Sequence, residues 1–301
     1  MKKKKRQRGF KSQKKSFFYK EDIFLSRMAS VLKLPQSKVK EMFFQKTQPS
    51  VKLNNVSKDF FEKKGLKLKK IDWCKNTYIV KDQSESELKK YSGYKKGSFY
   101  VQNLAELIPT KILNIQEDER ILDTHPSSRT AHIFSMCSDS NELILNTQKA
   151  ERLSDEYSEY FDKILLAPPS SREGEISFLK KRPLKNWNIK KTKALSKLQK
   201  ELIISAFSCL KKGGLMSYFT TTISPNENEA VVTYLLKERQ DAKLEEIELI
   251  ESKEFSSYKT FLQKGLKEWN DEFYHPDIKK TFRAIPGKTM VGSYIALIKK
   301  V

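Results

Sequence analysis

The alternation of short apolar segments with helical segments from residue 101 onward constrains the fold most strongly. Five segments predict strands: Ile121 to Asp123, Glu142 to Leu145, Lys163 to Ala167, Gly214 to Thr220 and Met290 to Ile298. Leu195 to Leu210 predicts a helix with one apolar stripe, ended by Gly213 and Gly214. Such alternation builds a mostly parallel sheet with helices on both faces and a ligand site at the carboxyl ends of the strands. We therefore expect a Rossmann-like α/β domain over residues 98–301.

The residues before this domain have a different character. Residues 1–20 contain ten lysines and arginines and no acidic residue, which predicts a basic, disordered tail. Two short helices are predicted next, over Asp22 to Leu32 and Ser37 to Phe44. The β-leaning segments that follow are Val51 to Leu53, Leu66 to Ile71 and Thr77 to Val80, with a helix-like stretch from Lys58 to Lys64. Residues 21–97 are therefore predicted to form a small α/β module.

The charge of the chain indicates its class of partner. Lysine and arginine outnumber aspartate and glutamate by 59 to 37, for a net charge of +22, which favours a polyanion and first of all RNA. A solubilising tail or a general lysine bias is the alternative. Neither a long apolar run nor a signal-type start occurs, so we expect a soluble, intracellular protein, cytoplasmic first, with an organelle left open. The three cysteines and three histidines lack metal-ligand spacing, and no metal site is expected.

Several segments, taken in order, carry a family resemblance. They are Tyr100 to Asn103 with Ile108 and Pro109, Lys212 to Gly214, Thr222 to Glu229 (Thr-Ile-Ser-Pro-Asn-Glu-Asn-Glu), Arg283 with Ile285 and Pro286, and Gly292 to Leu297. From about residue 21 to the end the chain resembles the Sun-type RNA (cytosine-5) methyltransferases. This resemblance implies a class I methyltransferase fold and S-adenosylmethionine as methyl donor. Ser50 to Asn54 and Trp73 resemble the family's small RNA-recognition-like module, which binds RNA in relatives.

The resemblance also implies two catalytic cysteines and an aspartate, and all three are replaced here. The family's nucleophilic cysteine attacks carbon 6 of cytosine, and its position holds Thr221. The cysteine that helps to release the product corresponds to Ser170, and the aspartate that hydrogen bonds the base corresponds to Ala167. Cys137 is interpreted as a packing residue rather than as a substitute nucleophile. We therefore expect no cytosine methylation.

The cofactor positions implied by the resemblance are altered as well. The segment from Leu122 to Thr130 has no glycine and is two residues shorter than the family's loop, although a glycine allows backbone N–H groups to approach a ligand closely. Only nine residues separate Leu153 from Lys163, which leaves little room for the family's next helix and third strand. The expected ribose-binding acid is replaced by Thr147. No cofactor is expected at this degenerate site, which comprises Asp123, Ser127, Ser128, Arg129 and Thr147.

The RNA contacts are predicted from charge and aromatic character. Basic side chains neutralise phosphates, and aromatic rings stack on unpaired bases. The candidates are the basic tail with Lys52, Lys67, Lys69, Lys70, Arg129 and Arg172, and Trp73 and Tyr78 as stacking surfaces.

Three functions remain open on this evidence. The first is a non-catalytic RNA-binding protein of the family, acting on rRNA or tRNA and within ribosome assembly, with ribosomal or assembly proteins as further partners. The second is a divergent methyltransferase that still uses S-adenosylmethionine. The third is a protein-interaction scaffold that docks through Leu235 to Ile250, where Glu245, Glu246 and Glu248 cluster.

Overall fold

The computed structural model describes residues 19–145 and 153–301, so most of the basic tail and Thr147 lie outside the described residues. The helices are α1 (residues 19–32), α2 (Gln36–Phe43), α3 (Asp59–Glu62), α4 (Glu85–Leu88), α5 (Ser92–Lys95), α6 (Ile108–Lys111), α7 (Ser128–Phe134), α8 (Leu153–Glu156), α9 (Ile189–Ser208), α10 (Glu229–Glu238) and α11 (Glu248–Glu251). The strands are β1 (Ser50–Leu53), β2 (Leu68–Lys70), β3 (Thr77–Val80), β4 (Phe99–Gln102), β5 (Arg120–Asp123), β6 (Glu142–Leu145), β7 (Phe161–Leu166), β8 (Leu210–Thr220), β9 (Ala242–Leu244), β10 (Leu262–Lys264), β11 (Glu268–Trp269), β12 (Glu272–Phe273), β13 (Phe282–Ala284) and β14 (Ser293–Lys300).

The large sheet has the strand order β10-β13-β14-β8-β7-β5-β6, and β9 also pairs with β14. Strands β6, β5, β7 and β8 are parallel, whereas β14 runs antiparallel to β8. Apolar side chains of these strands are buried against α9 and α10, as the fully buried Ile164, Phe207 and Val231 illustrate. The sheet therefore brings the carboxyl ends of β5, β7 and β8 to one edge.

The third strand that such a sheet usually carries beyond β6 is not found within residues 19–145 and 153–301. The segment from Leu153 to Lys163 supplies only the four-residue helix α8 before β7 begins at Phe161. In the described part of the sheet, β6 therefore forms the edge.

Helix α9 ends earlier than its sequence pattern predicts. Its last residue is Ser208, and Cys209 caps it, so Gly213 and Gly214 do not end the helix. Both glycines lie inside β8, where pairing with β7 jumps from Phe161–Leu210 to Lys163–Leu215. Gly213 has a φ of +85°, a conformation that glycine adopts without a steric penalty. The glycines thus form an irregularity in a strand.

The amino-terminal module is a four-stranded antiparallel sheet with the order β2-β3-β1-β4. Because β4 is Phe99–Gln102, the predicted boundary after residue 97 would remove an integral strand from this sheet. One face packs on α3 to α5 through residues such as Val51 and Phe61. The opposite face packs on the large domain through Ile79. Both faces of the sheet are therefore covered.

Helices α1 and α2 pack on the large domain, although the sequence assigned them to the small module. Phe24 contacts the ring of Trp187 at 5.3 Å, and both lie in one apolar cluster with Ile223. Val31 belongs to the main core with α9 and α10. The boundaries 21–97 and 98–301 therefore do not match the packing. Among the described helices, none is both long enough and apolar enough to cross a lipid bilayer.

Candidate active site

A cavity of about 250 Å³ lies where β5, β7 and β8 end, and we call it the active-site cavity. Its walls come from the loop after β5, the loop after β7, the end of β8 and Glu106. The lining residues are Glu106, His125, Ser127, Arg129, Ala167, Pro168, Pro169, Ser170, Arg172, Glu175, Phe219, Thr220 and Thr221. The predicted catalytic positions 167, 170 and 221 therefore meet in one place.

Two hydroxyl groups face each other in this cavity. The Ser170 Oγ and Thr221 Oγ1 atoms lie 3.5 Å apart, and both side chains are partly buried. Ala167 is buried and offers no polar side-chain atom to a base. The three cysteines of the chain do not line the cavity, and burial raises the pKa of the Cys137 thiol. The cavity thus contains no group that forms a thiolate near neutral pH.

The carboxylate of Asp123 accepts hydrogen bonds from residues of its own loop. Asp123 is fully buried, its Oδ1 accepts a hydrogen bond from the backbone of His125 at 3.0 Å, and its Oδ2 accepts one from Thr130 Oγ1 at 2.6 Å. Ser127 caps helix α7 by accepting from the backbone N–H of Arg129 at 3.3 Å, and Thr130 Oγ1 accepts from the backbone N–H of Ser127. The side chains of Asp123, Ser127 and Thr130 therefore bond to groups of their own turn.

Arg129 lies inside the protein, which corrects its prediction as an RNA contact. Only 7% of the residue is exposed. Its guanidinium lies 5.3 Å from the centre of the Phe219 ring, and its Nη1 is 3.9 Å from Glu106 Oε1. The side chain therefore occupies space between the loop after β5 and the end of β8.

The described residues of this cavity leave little room for the family's methyl donor, S-adenosylmethionine. Ligand pockets for molecules of drug size measure about 300–1,000 Å³. The cavity is smaller, at about 250 Å³, and Arg129 forms part of its wall. The loop from Asp123 to Thr130 has no glycine through which the backbone could approach a ligand.

Two buried glutamates that were not among the predicted site residues support the loop that carries Ser170. Glu227 accepts from the backbone of Ser171 at 2.8 Å and from Gln199 at 3.2 Å. Glu173 accepts from Trp187 Nε1 at 2.8 Å and from Thr222 at 3.2 Å. Burial raises the pKa of both carboxyls, that of Glu227 to about 7. Glu227 lies in the segment Thr222 to Glu229, and this family resemblance is its only sequence signal.

The segment from Thr222 to Glu229 is largely structural in this protein. Glu229 forms a fully buried ion pair with Arg283, with oxygen to Nη2 distances of 2.6 and 2.8 Å. Thr220 donates to Asn228 at 2.6 Å, and the Tyr218 hydroxyl donates to the Glu227 carbonyl at 2.6 Å. These bonds fix the end of β8 to the start of α10.

Known proteins resemble the chain over most of its length. Residues 143–299 match the family model described as 16S rRNA methyltransferase RsmB/F, which is just over half of the chain. A tRNA (cytosine(49)-C(5))-methyltransferase of Pyrococcus abyssi is 30% identical over 85% of this chain and 89% of its own length. The chain belongs to the RsmB/F methyltransferase family. This confirms the family resemblance found in the sequence.

The bacterial relatives of the RsmB/F family are longer. Ribosomal RNA small subunit methyltransferase F of Shewanella piezotolerans is 31% identical over 65% of this chain, which spans 49% of that protein. A methyltransferase homologue from Pyrococcus horikoshii has a similar fold, with a TM-score of 0.72 at 19% identity over 92% of this chain and 94% of its own. NSun6 from Pyrococcus horikoshii also has a similar fold, with a TM-score of 0.66 at 17% identity over 93% of this chain and 97% of its own. The predicted class I, Rossmann-like methyltransferase fold is therefore confirmed.

The predicted RNA-contacting lysines of this RsmB/F family member lie on the small module. Lys67, Lys69 and Lys70 are exposed on or beside β2, an edge strand of the sheet. Lys52 is partly buried, and its Nζ donates to the carbonyl of Lys75 at 3.1 Å. Burial lowers the pKa of Lys52. Three of these four lysines thus remain accessible to a phosphate backbone.

Of the two aromatic residues predicted to stack on bases, Trp73 packs inside the protein and Tyr78 is partly exposed. Trp73 is 4% exposed, and its ring lies 5.2 Å from Phe255 and 6.2 Å from Tyr258. Tyr78 is partly buried against the core of the small module. Trp73 therefore serves as a packing residue between the module and the large domain.

Arg172 is exposed, and its guanidinium pairs with Glu175 at the edge of the active-site cavity.

Proposed function

We propose that this chain is a non-catalytic member of the RsmB/F family that binds rRNA or tRNA without methylating it. The observation that carries the proposal is the pair of hydroxyls, Ser170 and Thr221, at the positions where the resemblance implies two thiols. A serine or threonine hydroxyl is a weak nucleophile unless an adjacent base activates it. Among the described hydrogen bonds of Thr221 and Ser170, none joins either hydroxyl to a carboxylate or an imidazole. Covalent capture of a cytosine is therefore not expected.

The cofactor side supports the same proposal. The carboxylate of Asp123 and the hydroxyls of Ser127 and Thr130 bond within their own turn, and Arg129 lies beside Phe219. A ligand that entered here would have to displace a buried cation and break these bonds. We therefore expect no binding of S-adenosylmethionine at micromolar concentration.

The positive charge of the chain supports the RNA-binding part of the proposal. The net charge is +22, and the described part of the chain presents Lys67, Lys69 and Lys70 on an exposed edge strand. If binding neutralises about six phosphates of a single strand, log K plotted against log salt has a slope of about −4. The names of the relatives point to rRNA and tRNA as the RNA classes to test.

The test compares this chain with the Pyrococcus abyssi tRNA methyltransferase as an active control. Calorimetry measures binding of S-adenosylmethionine, labelled methyl transfer to bulk rRNA and tRNA measures activity, and a gel-shift titration measures RNA affinity. We expect methyl transfer by the control alone, and salt-dependent RNA binding by this chain. Label transfer, or a covalent adduct between this chain and an RNA base, would favour the divergent methyltransferase. Failure to bind either RNA at low salt would overturn the RNA-binding part.

A further inference from the structure

A second, larger cavity adjoins the active-site cavity and has a volume of about 540 Å³. It lies between the end of α2, the end of β4, the loop after β7 and the loop before β14. Glu106, Arg172 and Glu175 line both cavities, so the two share part of one wall. Because Gln102 at the end of β4 lines it, we call it the Gln102 cavity.

The side-chain amide of Gln102 is buried without hydrogen-bond partners among the described residues. The residue is 3% exposed, and neither its Oε1 nor its Nε2 has a partner within the described residues. Its backbone carbonyl, by contrast, accepts from Ser50 Oγ at 2.9 Å. A buried amide without partners costs free energy, because its bonds to water are lost and not replaced. A ligand that supplied one donor and one acceptor would remove this penalty.

The charges around the Gln102 cavity suit a phosphate-linked ligand. The acids that line it already have basic partners: Glu175 pairs with Arg172, Glu106 with Arg129, and Glu85 with Lys89. Lys46 and Lys180 are exposed lining residues.

A partly exposed aromatic pair lies next in sequence to residues of the cavity wall. The rings of Phe44 and Phe178 stack with centroids 5.4 Å apart and an interplanar angle of 20°. Phe44 is 44% exposed, and its neighbour Gln45 lines the cavity, as does Leu179 beside Phe178. Aromatic faces of this kind stack on nucleobases.

We propose that the Gln102 cavity takes one unstacked nucleobase of the bound RNA, whose edge hydrogen bonds to the Gln102 amide. The amide presents a donor and an acceptor side by side, which is the arrangement that pairs with the adjacent donor and acceptor of a base edge. The base would lie a short distance along the strand from any nucleotide at the active-site cavity, since the two cavities share three wall residues. This inference rests on the proposed RNA-binding function.

The test uses the full chain and the variant Gln102→Leu, which keeps the size of the side chain and removes both polar atoms. Gln263→Leu is the matched control, because Gln263 also has an unpartnered amide oxygen but does not line the cavity. Fluorescence anisotropy measures the affinity for a single-stranded RNA that the unmodified chain binds, and for a series of the same RNA with one abasic site at each position. Thermal unfolding is followed in parallel.

We expect Gln102→Leu to weaken RNA binding by about tenfold, the value of one bidentate base contact, without lowering the melting temperature. In the RNA series, an abasic site at one position should weaken binding to the unmodified chain by a similar factor. The same abasic RNA should bind Gln102→Leu no more weakly than the intact RNA does. Gln263→Leu should bind like the unmodified chain. Nucleoside monophosphates should not displace the RNA at micromolar concentration.

Two results would overturn this inference while leaving RNA binding intact. One is equal affinity of the unmodified chain and Gln102→Leu for every RNA of the series. The other is displacement of the RNA by micromolar nucleoside monophosphate, which would assign the cavity to a free nucleotide. Absence of any RNA binding by the unmodified chain would overturn both this inference and the proposed function.

Discussion

Replacing Glu227 with glutamine should change how the stability of the protein depends on pH. Burial raises the pKa of Glu227 from 4.5 to about 7. The native state therefore holds a proton on this carboxyl between these values, whereas the unfolded state releases it. Native stability gained from Glu227 is present at acidic pH and lost as the pH rises through about 7. Glutamine keeps an oxygen that can accept from the backbone of Ser171, and it does not titrate.

The magnitude follows from these pKa values. Between about pH 8 and about pH 5, Glu227 should add about 2.5 kcal/mol to the free energy of unfolding. His132 acts in the opposite direction, because burial, with Lys52 and Lys111 nearby, lowers its pKa from 6.5 to about 3. The unfolded state takes up a proton there first, so His132 should remove about 2 kcal/mol over the same range. In the unmodified chain the gain from Glu227 and the loss from His132 nearly cancel. In Glu227→Gln only the destabilisation by His132 at acidic pH should remain.

Urea denaturation at several pH values between about 5 and 8 measures this effect. The stability of Glu227→Gln relative to the unmodified chain should fall by roughly 2–3 kcal/mol from the alkaline to the acidic end. Glu246→Gln is the control, because Glu246 is exposed on the surface. A stability difference between Glu227→Gln and the unmodified chain that is the same at both ends of the range would refute the reasoning.

Two further predictions concern the buried ion pair and the edge strand. Arg283→Met leaves the carboxylate of Glu229 buried without its cation, so it should cost about 3–5 kcal/mol in urea denaturation, and a cost below about 1 kcal/mol would contradict the role of the pair. Replacing Lys67, Lys69 and Lys70 together with alanine should reduce the slope of log K against log salt by about 2 in anisotropy titrations with single-stranded RNA. The control replaces three lysines of the exposed start of α9, Lys190, Lys191 and Lys193, and an equal change there would indicate binding by net charge alone.

The periodicity of apolar residues correctly predicted strands that are marked by a short apolar run in the sequence itself. The strand at Glu142 to Leu145 and the strand at Thr77 to Val80 agree with the structure residue for residue, because each is a short apolar or β-branched run between polar neighbours. The end of α9 was predicted wrongly. Glycine ends many helices, but a glycine with positive φ also permits an irregularity within a strand, and sequence alone does not distinguish the two.

Packing between distant segments explains the predictions that were wrong. Trp73 was a candidate stacking surface, and it is buried because α11 and the residues after it bring Phe255 and Tyr258 against it. Arg129 was a candidate RNA contact, and it is buried between Glu106 and Phe219, which come from other parts of the chain. A side chain's exposure depends on which remote segments cover it, and no local pattern contains that information.

The sequence by itself determined the family and the atoms present at positions 170 and 221, because the identity of an atom does not depend on packing. A threonine at 221 and a serine at 170 carry no sulfur in any conformation. Only the tertiary structure decided that these two hydroxyls face each other, that Glu173 and Glu227 support the loop that carries Ser170, and that Gln102 lacks partners beside a cavity. These relations join residues far apart in the chain, and they arise only when the sheet brings the ends of its strands to one edge.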